Sequence, residues 1–273
     1  MHGHDLTQAP LQFAMNNQHM NGGIEVDIWG QTSLPGCFAV GEVAGTHGVT
    51  RPGGAALNAG QVFAVRLARY IAEAGWRGES DAVEALATGP LKQINAVIHQ
   101  ALHHASGRSL VSLREEIQAR MSDYAGFICH VDTIRPAAQA ARQLLASLAH
   151  DALAIQHQAE IPGLFIWRQL TLASAAILTM LEEYVAAGGG SRGARIILDP
   201  QGDCLPLTRH GPLAQWRFRP EQQADKKTKL TIQYRENKFI FQQQPLRKSP
   251  DLKGNYFEKN WPDFLCGEIY HKQ

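Results

Sequence analysis

No two cysteines stand close together in this chain. Cys37, Cys129, Cys204 and Cys266 are its only four, and their wide spacing offers no zinc knuckle, iron–sulfur cluster or redox dithiol. They read as buried or free thiols of a reducing compartment, so a cytoplasmic location is expected. Charge of one sign is also scarce: 26 Lys and Arg balance 25 Asp and Glu. With no long basic run, there is no electrostatic case for nucleic acid or an anionic membrane surface. The opening MHGHDLTQAPLQF lacks the charged-then-apolar order of a secretory leader. The longest apolar stretch, Leu170 to Leu181, lies between Arg168 and Glu182 and is too short to span a bilayer, so no transmembrane segment is expected. What remains is a globular composition over 273 residues, 44% of them hydrophobic, enough for one large domain or two ordinary ones.

Texture changes twice along the chain. Residues 1–75 are rich in glycine and poor in charge, with short apolar runs broken by turn residues, and they read as strands and loops feeding a helix. That helix is predicted from near Gly54 to about Ala74. Phe63, Leu67, Tyr70 and Ile71 recur at helical spacing, with Arg66 and Arg69 assigned to the opposite side. Residues 76–200 turn to Ala, Leu, Gln and Arg, which favour helix. Ser112 to Glu115 fits a capping box for a helix bearing Leu113, Ile117 and Met121. A second helix follows Thr133 to Leu148. A third carries Trp167, Leu170, Ser174, Ile177, Leu181 and Tyr184 on one stripe and ends at Gly188 to Gly190. Such helices cannot bury their stripes singly and are expected to pack as an antiparallel bundle. In residues 201–273, Leu230, Ile232 and Tyr234 alternate before a turn at Arg235 to Lys238. Phe239 and Phe241 alternate after it, predicting a β-hairpin. Asp225 to Lys229 and Arg247 to Lys253 read as solvated surface.

Several chemical patterns are weak. Gly188-Gly-Gly190-Ser-Arg-Gly193 has the spacing of a dinucleotide fingerprint, but a helix precedes it and a β-rich run follows, the reverse of what that motif needs. His99 and His103 stand four apart with no acidic ligand near, so no metal site is predicted. No Ser or Cys lies in an elbow-like turn.

Residues 19 to 63 carry more. A histidine beside a glycine pair, His19 with Gly22 and Gly23, offers a polar group on backbone that a ligand can approach closely. An apolar strand from Cys37 to Val40 would end at Gly41-Glu42, placing one carboxylate at a strand's C-terminal end. Arg51 precedes Gly53 and Gly54, which open a helix. An Arg grips a carboxylate with two parallel hydrogen bonds, and a helix N-terminus favours negative charge. Such a site suits a small anionic molecule or cofactor. A glycine-rich structural turn accounts for the same spacing.

These residues resemble the flavoprotein family of succinate dehydrogenase, fumarate reductase and L-aspartate oxidase. Three signatures stand in the family's order: His19-Met-Asn-Gly22-Gly23-Ile24, Leu34-Pro-Gly36-Cys-Phe-Ala-Val-Gly41-Glu42, and His47-Gly48-Val-Thr-Arg51-Pro-Gly53-Gly54. Leu113 to Gly126 and Ser191-Arg192-Gly193-Ala194 are similar to later family segments. The resemblance implies an FAD-dependent oxidoreductase that moves hydride between flavin and a carboxylate-bearing substrate. His19 and Arg51 would bind the substrate carboxylate. Glu42 would accept hydrogen bonds from the sugar-alcohol chain of FAD, and Gly22, Gly23 and His47 would line the cofactor. Gly53, Gly54, Ala55, Ala56 and Leu57 would present N–H groups to the flavin. Departures stand at Thr50, Pro52, Ala55-Ala56, Cys129 and Gly190, so the resemblance leaves the particular acid open.

The fold then expected is predominantly α. The C-terminal end of an α/β FAD-binding domain (1–75) leads into an antiparallel helical bundle (76–200) and a small hairpin-containing tail (201–273). The family's pyrophosphate-holding strand and turn are not found in these residues, which implies a partner: an N-terminal FAD-binding half, or an electron-transfer subunit. The alternative expectation is a truncated, non-catalytic binding or assembly module that keeps relics of the flavin site.

Overall fold

The computed structural model describes residue 7 and residues 21–48, 53–74, 83–104, 107–149, 153–193, 195–205, 213, 215–246 and 260–270. In chain order the elements are α1 (Ala55–Glu73), α2 (Val83–His103), β1 (Arg108–Ser109), α3 (Leu110–Tyr124), β2 (Ile128–His130), α4 (Val131–Ser147) and β3 (Leu153–Ala154). They continue with α5 (Ile161–Ala186), β4 (Ile196–Cys204), β5 (Arg217–Phe218), β6 (Thr228–Arg235), β7 (Lys238–Pro245) and α6 (Trp261–Leu265). The chain divides into two compact units, residues 1–76 with 259–273, and residues 77–258.

In the first unit α1 stands within one residue of its predicted ends. Its half-buried stripe contains Phe63, Leu67, Tyr70 and Ile71, as periodicity predicts, but Arg66 lies on that stripe rather than opposite it. The Arg66 guanidinium sits 4.6 Å from the centre of the Trp29 ring, which itself stacks on Tyr70 at 5.1 Å. A planar, weakly hydrated cation on an aromatic face behaves as apolar surface, and periodicity alone cannot register that. Arg69 makes the same contact with Phe264 of α6, 4.6 Å away, holding the C-terminal segment against this helix.

The second unit has two hydrophobic clusters. One joins Ala137, Ala138 and Ala141 of α4 to Ala175, Leu178 and Val185 of α5, with Cys129 and Ile197 from β2 and β4. The other gathers Ala101 of α2, Leu113 and Ile117 of α3, Leu144, Leu148, Leu153 and Leu164. Between α4 and α5, Arg142 donates to Glu182 at 2.6 Å and to Thr179 at 3.1 Å, with Arg135 3.6 Å from the same carboxylate. Small side chains on both helices let this pair approach closely.

Several sequence expectations need correction in this unit. The N-cap of α3 is Ser109, whose hydroxyl accepts from the Ser112 N–H at 3.2 Å, so Ser112 lies inside the first turn rather than capping it. Extended backbone at Ser109 (φ −71°, ψ 150°) sets that boundary. On α5 the buried stripe is Leu164, Thr171, Ser174, Ala175, Leu178, Thr179, Leu181 and Val185, while Leu170 is exposed. At 26 residues, α5 is also longer than its uninterrupted apolar run, and it is long and apolar enough to cross a membrane. Here its buried stripe serves both clusters.

The sheets are small. β2 pairs parallel to β4, β4 antiparallel to β5, β1 parallel to β3, and β6 antiparallel to β7. The β6–β7 link is a two-residue turn with positive φ at both Glu236 (51°) and Asn237 (61°), the form that matches strand twist.

Where α5 ends, Gly188 takes φ +88°. Its N–H donates to the Val185 carbonyl at 3.0 Å and that of Gly189 to Tyr184 at 2.9 Å, the paired bonds of a Schellman stop. The preceding helix and following β4 exclude a dinucleotide turn here. Asp225, expected as solvated surface, instead accepts the Tyr184 hydroxyl at 2.9 Å, with the Gly190 carbonyl also in reach at 3.0 Å. Burial first, then this bond to an anion, pushes the Tyr184 phenol up to about 12. A proton held more tightly in the folded state gives stability that is complete below the ordinary tyrosine value of about 10 and is lost as pH climbs towards 12. Urea midpoints of the native chain should therefore fall more steeply between about pH 10 and pH 12 than those of Tyr184→Phe; equal slopes would remove Tyr184 from the linkage.

Candidate functional site

The glycine-rich segment of the first unit folds back on itself through close backbone contacts. Ile24 N–H donates to the Val43 carbonyl at 2.7 Å, and Gly23 bridges Ala44. A Cβ on Gly23 would lie 2.3 Å from the Val43 oxygen and 2.5 Å from the Gly45 nitrogen, so this contact requires glycine. Further along, the Asp27 carboxylate accepts from the Trp29 and Gln31 N–H groups at 2.8 and 2.9 Å, building a tight turn. Thr32 and Ala39 N–H groups then bond to Cys37 and Gly30. The strand expected over Cys37 to Val40 is reduced to a single bridge, Gln31 to Phe38, because among the described residues no neighbouring strand extends it into a ladder.

Gly41 takes φ +74° and opens a short 3-10 turn, Gly41–Val43, that carries the exposed carboxylate of Glu42. A Cβ placed on Gly41 would stand 3.9 Å from the Gly60 Cα, so this turn rests on the second turn of α1. The N-cap of α1 is Gly54, which brings no side-chain cap of its own. Open space faces Gly48, Gly53 and Gly54, and Leu57 is 80% exposed.

The structure thus brings Gly22, Gly23, Glu42 and the segment bearing His47 into one loop cluster against the first half of α1, which begins at Gly53, Gly54, Ala55, Ala56 and Leu57. His19 and Arg51 lie outside the described residues. Sequence reasoning missed Trp29 and Arg66, the stacked pair that ties the loop to the helix. The Asp27-Ile-Trp29-Gly30 order, an aspartate two residues before an aromatic in a turn, was the available clue.

Elsewhere, several charged side chains are paired with one another. Glu116 accepts from both Arg108 and Arg120; burial raises its carboxyl, and the two guanidinium bonds outweigh this and hold it below the usual range. A cleft of about 570 Å³ in the second unit is lined by Asp132, Arg135, Glu182, Asp199 and Arg219 among others. Its Asp199 is held low first by the Gln201 N–H and then by Arg219. The His99 and His103 rings stack at 4.1 Å, with His103 Nδ1 2.8 Å from the His99 carbonyl. Among the described residues no group of three His, Cys, Asp or Glu side chains is placed to hold a metal.

The family model described as FAD binding domain matches residues 4–57, which end in the first turn of α1. This stretch is similar to an FAD-binding domain, and FAD is the cofactor the similarity indicates. The chain is also similar to proteins named L-aspartate oxidase and fumarate reductase flavoprotein subunit. The L-aspartate oxidase of Streptomyces coelicolor is 30% identical over 177 residues, covering 64% of this chain and 29% of that protein. One component of the fumarate reductase (CoM/CoB) of Methanothermobacter marburgensis is 45% identical over 65 residues, 23% of this chain and 12% of that protein. Among solved structures, the FrdA chain of E. coli quinol fumarate reductase, in a mutated form, is similar with a TM-score of 0.63 at 18% identity, over 86% of this chain and 38% of that one. The chain spans well under half the length of each of these relatives.

The residues present fit an FAD fragment. A helix N-terminus is a ready anion site, and among the described residues no atom lies within 4 Å of a Cβ placed on Gly48, Gly53 or Gly54. Gly23→Ala should break the Gly23–Ala44 bridge; amide exchange at Ile24 should accelerate at least tenfold, and native protection there would show that the contact is dispensable.

Proposed function

We propose that this chain supplies part of the active site of an FAD-dependent oxidoreductase that transfers hydride between flavin and a carboxylate-bearing substrate. The observation that carries the reading is coincidence: the matched FAD-binding stretch, 4–57, is the same stretch in which the glycine pair, the Glu42 turn and the start of α1 converge. FAD, when bound, supplies the exchange of hydride with carbon. Each residue has a role on this side of the reaction. Arg51 anchors a substrate carboxylate by two parallel hydrogen bonds, with His19 as a further donor. Glu42 accepts hydrogen bonds from the sugar-alcohol chain. The N–H groups from Gly53 to Leu57, at the positive end of α1, would hold the flavin and favour negative charge on it. Gly22, Gly23 and His47 line the cofactor. Residues 1–75 form the C-terminal segment of the FAD-binding domain in this reading. Residues 76–200 form an antiparallel helical domain and 201–273 a hairpin-containing tail. The location is cytoplasmic. An N-terminal FAD-binding half or an electron-transfer subunit completes the enzyme.

Two measurements test this. The chain alone should hold FAD weakly or not at all, because no glycine-rich pyrophosphate turn is found in its sequence; micromolar binding in calorimetry would contradict that. In the completed enzyme Arg51→Ala should raise the apparent KM for the acid and lower kcat, each by about tenfold or more, the loss of one charge-assisted pair. Unchanged kinetics would remove Arg51 from the site and favour a non-catalytic module.

A further inference from the structure

Five ionic side chains stand on the wall of the cleft in the second unit: Asp132, Arg135, Glu182, Asp199 and Arg219. Three of them are committed. Arg219 holds Asp199 through two bonds of 3.0 and 2.8 Å. Glu182 has only 16% of its side chain exposed and is held by Arg142 at 2.6 Å. The other two are not. Arg135 comes no nearer to Glu182 than 3.6 Å, beyond hydrogen-bond reach, and 76% of its side chain is exposed. The Asp132 carboxylate has no hydrogen bond or ion pair with any described residue, although Arg135 stands three positions further along the same face of α4. One acid and one base therefore look into the same cleft without pairing with each other.

We propose that this cleft binds an α-amino acid with an apolar side chain, its carboxylate on Arg135 and its ammonium on Asp132. Neighbouring positions on a helix face hold their Cβ atoms about 5–6 Å apart, so the two side chains can clamp a ligand that carries both charges on one carbon. A guanidinium takes a carboxylate by two parallel hydrogen bonds, and an ammonium brings three donors to an acid. Arg135 can turn to such a ligand without stranding Glu182, because Arg142 keeps that carboxylate paired. Val131, Pro136, Val185, Ala186 and Pro200 give the wall its apolar part. The volume, about 570 Å³, lies within the roughly 300–1,000 Å³ of small-molecule sites and leaves room for a ring-sized side chain. Other small ions fit less well. A dicarboxylate would set its second charge against Asp132, Glu182 or Asp199, and a diamine would meet Arg135. Every residue involved belongs to the second unit, outside the stretch matched to an FAD-binding domain, so success or failure here leaves the flavin reading untouched.

The test titrates three probes into the full chain, followed by calorimetry and by amide NMR: L-phenylalanine, hydrocinnamate, which lacks the ammonium, and phenethylamine, which lacks the carboxylate. L-Phenylalanine should bind saturably and shift amides of residues 131–136 and 199–201, and each truncated probe should bind at least tenfold more weakly. Asp132→Asn and Arg135→Gln should each weaken L-phenylalanine at least tenfold, whereas Arg114→Gln, at an exposed position on α3, should not. Asp132 and Arg135 are exposed, and an unchanged circular dichroism spectrum checks folding. Should either variant lose helix, the comparison of the three probes on the native chain decides. No saturation at the solubility limit of L-phenylalanine overturns the proposal. So does equal binding by either truncated probe, binding indifferent to both substitutions, or a shift pattern centred away from the cleft.

Discussion

One guanidinium holds the C-terminal end of α5 in place. Arg219 grips the Asp199 carboxylate through Nε and Nη2 at 3.0 and 2.8 Å, while Nη1 donates to the Val185 carbonyl at 2.8 Å. Its backbone N–H bonds to Ile197 and its carbonyl receives Ser191. The residue directly after β5 therefore adds a second donor to a carbonyl of the helix end, places a cation at the negative end of that helix, and bonds to the strand that follows. Because β4 also pairs with β2, which leads into α4, the arrangement of helices depends on this one contact set. Glycine is enforced around it: a Cβ on Gly190 would stand 1.9 Å from the Pro220 oxygen, and one on Gly202 2.2 Å from that of Phe218.

The two units differ in how they are stabilised. The second buries leucines, isoleucines and alanines in two clusters and matches its internal charges. Among its described residues the first has close glycine contacts, an aromatic–guanidinium stack and two buried hydrophobic side chains, Ala39 and Ala44.

Local chemistry made much of this legible. Helical periodicity and flanking glycines located α1 to within a residue, and the three glycines after α5 marked its stop. What failed had a common cause in contacts between distant residues. Arg66 was assigned to solvent because Trp29, far away in sequence, supplies the surface it lies on. Asp225 looked solvated because its partner Tyr184 is 41 residues away. The strand over Cys37 to Val40 was expected from composition, yet a ladder needs a neighbour, and composition does not supply one. At the candidate site, glycines were recognisable, but which backbone each one meets was not. His19 and Arg51 rest on resemblance, since they lie outside the described residues.

Cys129 is fully buried beneath α4 and α5, its thiol 3.5 Å from the Gly126 carbonyl, and burial pushes its ionisation above the ordinary thiol value despite nearby Arg195. Cys204 and Cys266 are exposed. The chain therefore contains its own clock: alkylating reagents reach the outer thiols at once, whereas Cys129 reacts only as often as the packed interior opens. Its modification rate is a direct count of those openings.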